Sequence, residues 1–162
     1  MELITLHKHD RQWARTFEME RELIFGILGR SINKIHHVGS TAVADLLAKP
    51  IIDIAIEAVA FPPAQTIIDK FTSIEYEYKG EAGVPGRHWF VKGQQRKFNL
   101  HYCSVNSDVV QNQIKLRDRL AKDEDLRREY ERIKLQSHKD KDIDSSEYAF
   151  AKSDFIRRII GE

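Results

Sequence analysis

The stretch that most constrains this chain is HHVGSTAVADLLAKPIIDIAIE, residues 36–57, because it sets a carboxylate inside an apolar, β-branched run. Residues 51–57 read as a buried strand. Asp53 in the middle of that strand is costly unless it lies at the rim, is paired or holds a cation. It is therefore the first functional candidate. Upstream, a short strand over Ile35 to Val38 runs into Gly39, Ser40 and Thr41, a flexible residue and two hydroxyls that hand the chain to the helix-compatible run Ala42 to Ala48. Pro50 disfavours helical geometry at Lys49 and should end that helix. The expected helix start at 39–41 would offer unpaired N–H groups and a positive dipole end to phosphate or carboxylate.

The other elements follow from periodicity. Apolar positions Trp13, Phe17, Ile24, Ile27 and Leu28 give a helix over 10–29, with Asp10 able to cap it and Gly29 closing it. A helix over Ala64 to Phe71 turns Ile67, Ile68 and Phe71 inward. Three strands then follow: one with Ile74, Tyr76 and Tyr78 on one face, one of about five residues around Trp89 to Val91, and one over Lys97 to Val105. In the first short strand His36 and His37 point to opposite faces; His36 is expected at the surface, while His37 admits a structural or a site role. From 108 to 162 the chain is helical, with Val109, Val110, Leu116 and Leu120 on one amphipathic face and Leu126, Tyr130 and Ile133 on the next, capped by Asp123. Asp144 to Glu147 has the form of a capping box for a last helix through Tyr148, Ala151, Phe155 and Ile159.

At 162 residues the chain is long enough for one substantial core, and residues 1–162 are expected to form a single domain. A net charge of +1 gives no general attraction to nucleic acid or to a membrane surface. One cysteine, Cys103, excludes an internal disulfide and suits a reducing compartment. With no signal-peptide pattern at the start and no membrane-spanning run, a cytoplasmic location is expected. The triplet Gly39-Ser40-Thr41 is not the G-x-S-x-G elbow of a serine hydrolase.

The string from His37 to Val43, followed by Lys49, Pro50, Ile51, Ile52 and Asp53, resembles the signature of the GrpB-like family, a branch of the nucleotidyltransferase superfamily. The resemblance extends over nearly the whole chain, through Trp13, Phe17, Arg87 before an aromatic strand, His101, Arg117-Asp118, Tyr130, Lys134, Tyr148 and Lys152. It departs at Ala55, where the superfamily carries a second carboxylate, at Asn99, where the family usually has His, and at Ala44-Asp45 in place of Pro-Gly. It implies an α/β (α+β) fold of nucleotidyltransferase type, a small mixed sheet flanked by helices with a helical C-terminal part. It further implies that Asp53 and His101 lie side by side as the catalytic and metal-binding pair, with magnesium or manganese as the cofactor. Gly39, Ser40, Thr41, Lys49, Arg87, Tyr130 and Lys134 would bind a nucleotide or another anionic small molecule.

Three readings stay open on these residues. One is a nucleotidyltransferase working with a single clear carboxylate, since Glu57 lies about 13 Å along the strand, too far to share a metal with Asp53. Another is a binding protein that kept the pocket and lost catalysis. The last is a partner-binding module using the charged C-terminal helices, on which no nucleic-acid stripe stands out. Arg87 reads as a phosphate or carboxylate fork in preference to the neighbouring lysines, with a turn-stabilising or solvated arginine as the alternative.

Overall fold

The computed structural model describes residues 6–139 and 145–161. Helix α1 spans Gln12–Leu28 and strand β1 spans Ile32–Val38. A three-residue 3-10 turn, Ser40–Ala42, and a loop lead to β2, Ile52–Ala58. Helix α2, Gln65–Ser73, precedes β3, Tyr76–Tyr78, β4, His88–Lys92, and β5, Phe98–Ser104. Helices α3, Asp108–Lys122, α4, Glu124–Lys139, and α5, Ser145–Gly161, close the described chain. The five strands form one mixed sheet in the order β1-β2-β5-β4-β3, in which β2 and β5 are parallel and the other pairs antiparallel. This is the small mixed sheet flanked by helices that the family resemblance implies.

Side-chain alternation divides the sheet into two unlike faces. Ile52, Ile54, Ile56, Leu100, Tyr102 and Phe90 fill one face beneath α1 and α2, where Phe17, Ile24 and Phe71 complete the main core. A polar triad spans that core: Glu20 of α1, 7% exposed, accepts hydrogen bonds from Tyr76 Oη at 2.9 Å and Lys92 Nζ at 2.8 Å. The opposite face carries Val38, Ala55 and Cys103 against Val110 of α3. Asp53 and Asn99 are register partners across β2 and β5, so both sit at the rim of this second face, where α3, α4 and α5 gather.

Some boundaries and one element differ from the sequence reading. Asp10 does serve the start of α1, accepting from the Gln12 N–H at 2.8 Å, and Asp123 accepts from the Leu126 N–H at 3.1 Å. His36 is not a plain surface residue: its Nε2 lies 2.8 Å from buried Glu57, which also accepts from the Asn106 N–H. The expected helix over 42–48 is absent. Val43 is already extended, Asp45 has φ 63°, and Ala48 pairs with His7 as an isolated bridge. Tertiary packing outweighs local propensity here, because Val43 and Leu46, both 0% exposed, enter a cluster with Leu120, Tyr130, Phe155 and Ile159. The loop backbone is clamped by α4, since Glu131 accepts from the Leu47 N–H at 2.9 Å and Lys134 donates to the Leu47 carbonyl at 2.9 Å. No helix dipole is therefore available at Gly39 to Thr41. The capping box at 144–147 and the Tyr148 side chain lie outside the described residues.

Leu46 holds the loop by insertion rather than by helix formation, so Leu46→Ala should destabilise the fold by about 2–5 kcal/mol, the range for emptying a buried leucine site. Urea denaturation followed by circular dichroism measures this, and a change under 1 kcal/mol would mean that the backbone clamps alone hold the loop.

Candidate functional site

The site is built on a close approach of backbone to carboxylate. Gly39 has φ 75°, and a Cβ placed there would lie 2.3 Å from Asp53 Oδ2. Only glycine allows this turn to lie against that side chain. Asp53 is the second residue of β2 and its side chain is 28% exposed, which answers the cost of a charge in an apolar strand by placing it at the rim. His101 on β5 brings Nε2 to 3.7 Å from Asp53 Oδ1, so the structure does place the expected pair side by side. His37 points to the other face, stacked on Phe17 at 4.7 Å with its Nε2 2.9 Å from Thr41 Oγ1. Burial pushes the His37 pKa down to about 4 against the opposing pull of Asp53, so the ring is neutral near pH 7.

Helix α4 supplies the opposite wall. Tyr130 and Lys134 lie one helical turn apart, with Lys134 Nζ 4.3 Å from the Tyr130 ring centroid. Lys134 is only 6% exposed; its Nζ donates to Ser40 Oγ at 2.5 Å as well as to the Leu47 carbonyl. Burial, then the neighbouring Lys152, pull the Lys134 pKa down to about 7, with Glu131 and Asp53 resisting. The Tyr130 hydroxyl also bonds to Ser40, and burial holds its pKa up at about 12. Arg117 of α3 donates to the His37 carbonyl at 3.0 Å and so anchors the strand end that enters the glycine turn.

Two cavities meet at this corner. One, of about 320 Å³, is lined by Ser40, Thr41, Asp53, Asn99 and Tyr130 together with four cations, Lys49, Arg96, Lys134 and Lys152. The other, of about 440 Å³, runs under α3 and α5 and is lined mainly by apolar side chains such as Val109, Leu116 and Ile156, with Gly39, His101, Gln113 and Arg117 among the remainder. Ser40, Asp53, Tyr130 and Lys152 belong to both walls. Of the residues chosen from sequence, Gly39, Ser40, Thr41, Lys49, Asp53, His101, Tyr130 and Lys134 are thus brought together. Arg87 is placed elsewhere: its guanidinium donates to the Glu81 and Ala82 carbonyls at 3.0 and 3.3 Å and lies over Trp89. It lines neither cavity.

Arg96 and Gln113 were not singled out from sequence. Arg96 follows Gly93 in a turn and looks like one more solvated basic residue, and Gln113 sits among polar helix positions. Asn99 stood out only as a departure from a family pattern, yet its Oδ1 is buried without a hydrogen-bond partner beside Asp53.

The family profile of the GrpB protein matches residues 3–162. The chain belongs to the GrpB family. Relatives include the UPF0157 protein YqkA of Bacillus subtilis strain 168, 29% identical over 92% of this chain, of whose own length the chain spans 44%. The UPF0157 protein BH1888 of Halalkalibacterium halodurans is 30% identical, the match covering 97% of this chain and 80% of the relative. A crystal structure of conserved protein GrpB from Enterococcus faecalis superposes with a TM-score of 0.85 at 26% identity, covering 97% of this chain and 98% of the other. The GrpB fold is therefore this mixed sheet with its flanking and C-terminal helices, and no helix among the described residues is long and apolar enough to cross a membrane.

Two outcomes follow from the packing of this corner. Gly39→Ala forces a side chain into a positive φ and into the Asp53 carboxylate, and should cost about 1–3 kcal/mol. Combining it with Asp53→Gly should recover part of that loss, a coupling of at least about 0.5 kcal/mol readable from a double-mutant cycle by denaturation; strict additivity would mean that the two groups do not press on each other. Lys134 has a folded pKa of about 7 against 10.5 for an unperturbed lysine, so between those values the unfolded chain binds more protons and folding gains stability as pH rises. The stability of the wild type relative to Lys134→Met should therefore increase from pH 7 to pH 10, by at most about 1.4 kcal/mol per unit. A difference that is flat or falls with pH would contradict the buried lysine.

Proposed function

We propose that this protein binds a phosphate-bearing ligand, a nucleotide in the first instance, in the cleft between the glycine turn and helices α4 and α5. The observation that carries this reading is the lining of the smaller cavity. In a chain of net charge +1, four cations and the hydroxyls of Ser40, Thr41 and Tyr130 surround a space whose sole lining acid is Asp53. Charge-assisted hydrogen bonds from lysine and arginine to phosphate are the strong kind, and a partly enclosed site weakens them less than open water does. Lys134 adds a specific element. An anion beside Ser40 favours the charged ammonium that burial disfavours, so ligand binding would be coupled to proton uptake near neutral pH.

The residues also fit a shared divalent cation. Asp53 offers one carboxylate, Asn99 a buried amide oxygen without a partner, and His101 an imidazole 3.7 Å from Asp53. Among the described residues no group of three His, Cys, Asp or Glu side chains stands ready to hold a metal, so ligand phosphates would complete the shell. Bound there, magnesium or manganese would neutralise phosphate charge. The finer reading is nucleotidyl transfer: an acceptor oxygen attacks the α-phosphorus of a nucleoside triphosphate, the α–β anhydride bond breaks, and pyrophosphate leaves. Lys49, Arg96, Lys134 and Lys152 would take up the charge of the departing pyrophosphate, and the Ser40 and Tyr130 hydroxyls would orient the chain of phosphates. A cytoplasmic setting, where nucleoside triphosphates abound, accords with this reading.

A second reading, binding without turnover, is favoured by Ala55. It occupies the place of a second acid and is 0% exposed, packed with Val38, Cys103 and Val110. Calorimetric titration of ATP and inorganic tripolyphosphate, with magnesium and with chelator, tests both. The double variant Lys49→Ala/Arg96→Ala alters two exposed cations and should weaken each ligand by at least about tenfold. Asp53→Asn should remove the magnesium dependence. If neither ligand binds the wild type, the phosphate reading fails; if both bind tightly without metal and no pyrophosphate is released with any acceptor, the protein is a binder.

A further inference from the structure

The larger cavity is not explained by phosphate. Its walls are chiefly hydrocarbon from α3 and α5, and at about 440 Å³ it exceeds the cationic space beside it, yet the two share Ser40, Asp53, Tyr130 and Lys152. A ligand made of phosphate alone would leave it unused. Both volumes fall in the range of about 300–1,000 Å³ typical of small-molecule sites, so one extended ligand can cross the common wall.

The polar atoms in that cavity narrow what fills it. Gln113 Oε1 and His101 Nδ1 are both buried without a hydrogen-bond partner, and both residues line the apolar space. A buried acceptor left unpaired is destabilising, so native proteins seldom leave one without a role. A hydrocarbon chain entering here would leave Gln113 Oε1 unpaired in the bound state as well. A flat heterocycle would bury its faces against Leu116 and Ile156 and offer an N–H to Gln113. Crossing the wall then places the phosphate nearest the sugar at Asp53 and Lys152, with the remaining phosphates among the cations.

Building on the phosphate reading above, we infer that the cavity under α3 and α5 is a nucleobase subsite, with Gln113 as the residue that hydrogen-bonds the base edge. The ligand class is thereby a nucleoside di- or triphosphate rather than inorganic polyphosphate, a sugar phosphate or a prenyl diphosphate. Asn112, the neighbour of Gln113 on α3, lines the same cavity and supplies a second amide for the edge.

The test is a calorimetric series with magnesium in which tripolyphosphate, the four common nucleoside triphosphates and geranyl diphosphate are titrated into the wild type, Gln113→Leu and Leu116→Trp. At least one nucleoside triphosphate should bind about tenfold or more tighter than tripolyphosphate. Gln113→Leu, which removes the acceptor, and Leu116→Trp, which fills the space, should each erase that advantage while tripolyphosphate affinity stays within about twofold. Retained tripolyphosphate binding also shows that a variant is folded. The wild-type comparison decides by itself: nucleotides no tighter than tripolyphosphate overturn the base subsite and leave the phosphate site standing. A gain from geranyl diphosphate that Gln113→Leu enhances assigns the cavity to a hydrocarbon and also overturns it. Failure of both tripolyphosphate and nucleotides to bind would instead bring down the phosphate reading, and this inference with it.

Discussion

The contact between the Gly39 backbone and the Asp53 carboxylate organises the corner around it. A side chain at Gly39 would overlap Oδ2, so the end of β1 can turn across the start of β2 only with glycine in that place. Once the turn is made, Ser40 and Thr41 follow within a single 3-10 turn and their hydroxyls face different partners, Lys134 and His37. The strand end is fixed from the other side by Arg117, which bonds the His37 carbonyl. The turn, the carboxylate and the first helix of the C-terminal part are thus parts of one arrangement. It is held by backbone sterics and by hydrogen bonds to both side-chain and main-chain groups, not by a helix terminus.

The electrostatics of the corner are local. Positive and negative residues nearly balance over the whole chain, 26 against 25, yet Lys49, Arg96, Lys134 and Lys152 converge from the loop before β2, the turn before β5, α4 and α5. Mutual repulsion and burial act together on Lys134, whose ammonium is held near neutrality in its proton affinity while it keeps two oxygen acceptors. Such a group gains most from an anion, because the anion opposes both causes of the shift. Burial acts on Tyr130 beside it as well, and holds its hydroxyl protonated across the physiological range.

Much of this was legible in sequence, and the parts that were not have identifiable causes. The buried strand expected at 51–57, α1, and the strands β4 and β5 follow from periodicity and turn residues, while Asp53 beside His101 was legible only through the family resemblance, because the parallel pairing of β2 with β5 is not written in either strand's own pattern. The segment 42–48 misled because Ala, Leu and Asp suit a helix, while the determining fact was that Val43 and Leu46 have partners more than seventy residues away in Leu120, Tyr130, Phe155 and Ile159. Propensity contains no such term. Arg87 and Arg96 show the same limit for cations. Both are basic residues in turns flanking the aromatic strand β4, and both guanidiniums lie over Trp89, at 5.6 and 5.2 Å; only the chain's path distinguishes the one that faces loop carbonyls from the one that reaches the cavity. The triad of Glu20, Tyr76 and Lys92 was equally hidden, since a glutamate on an amphipathic helix reads as solvated until its partners across the core are known.

Ala55 connects the missing acid to the architecture. In the register of the sheet it lies between His36 and His101, on the face that α3 covers, and it is fully buried with Val38, Cys103 and Val110. A carboxylate at that position would be buried among Val38, Cys103 and Val110, and its ionised form would be disfavoured. Packing α3 over this part of the sheet therefore leaves no room for a second carboxylate beside Asp53. What α3 and its successors bring in return is charge of the other sign, Lys134 and Lys152, and an apolar chamber that the sheet alone does not have. The C-terminal helices are not an appendage to the sheet but supply part of the lining of both cavities.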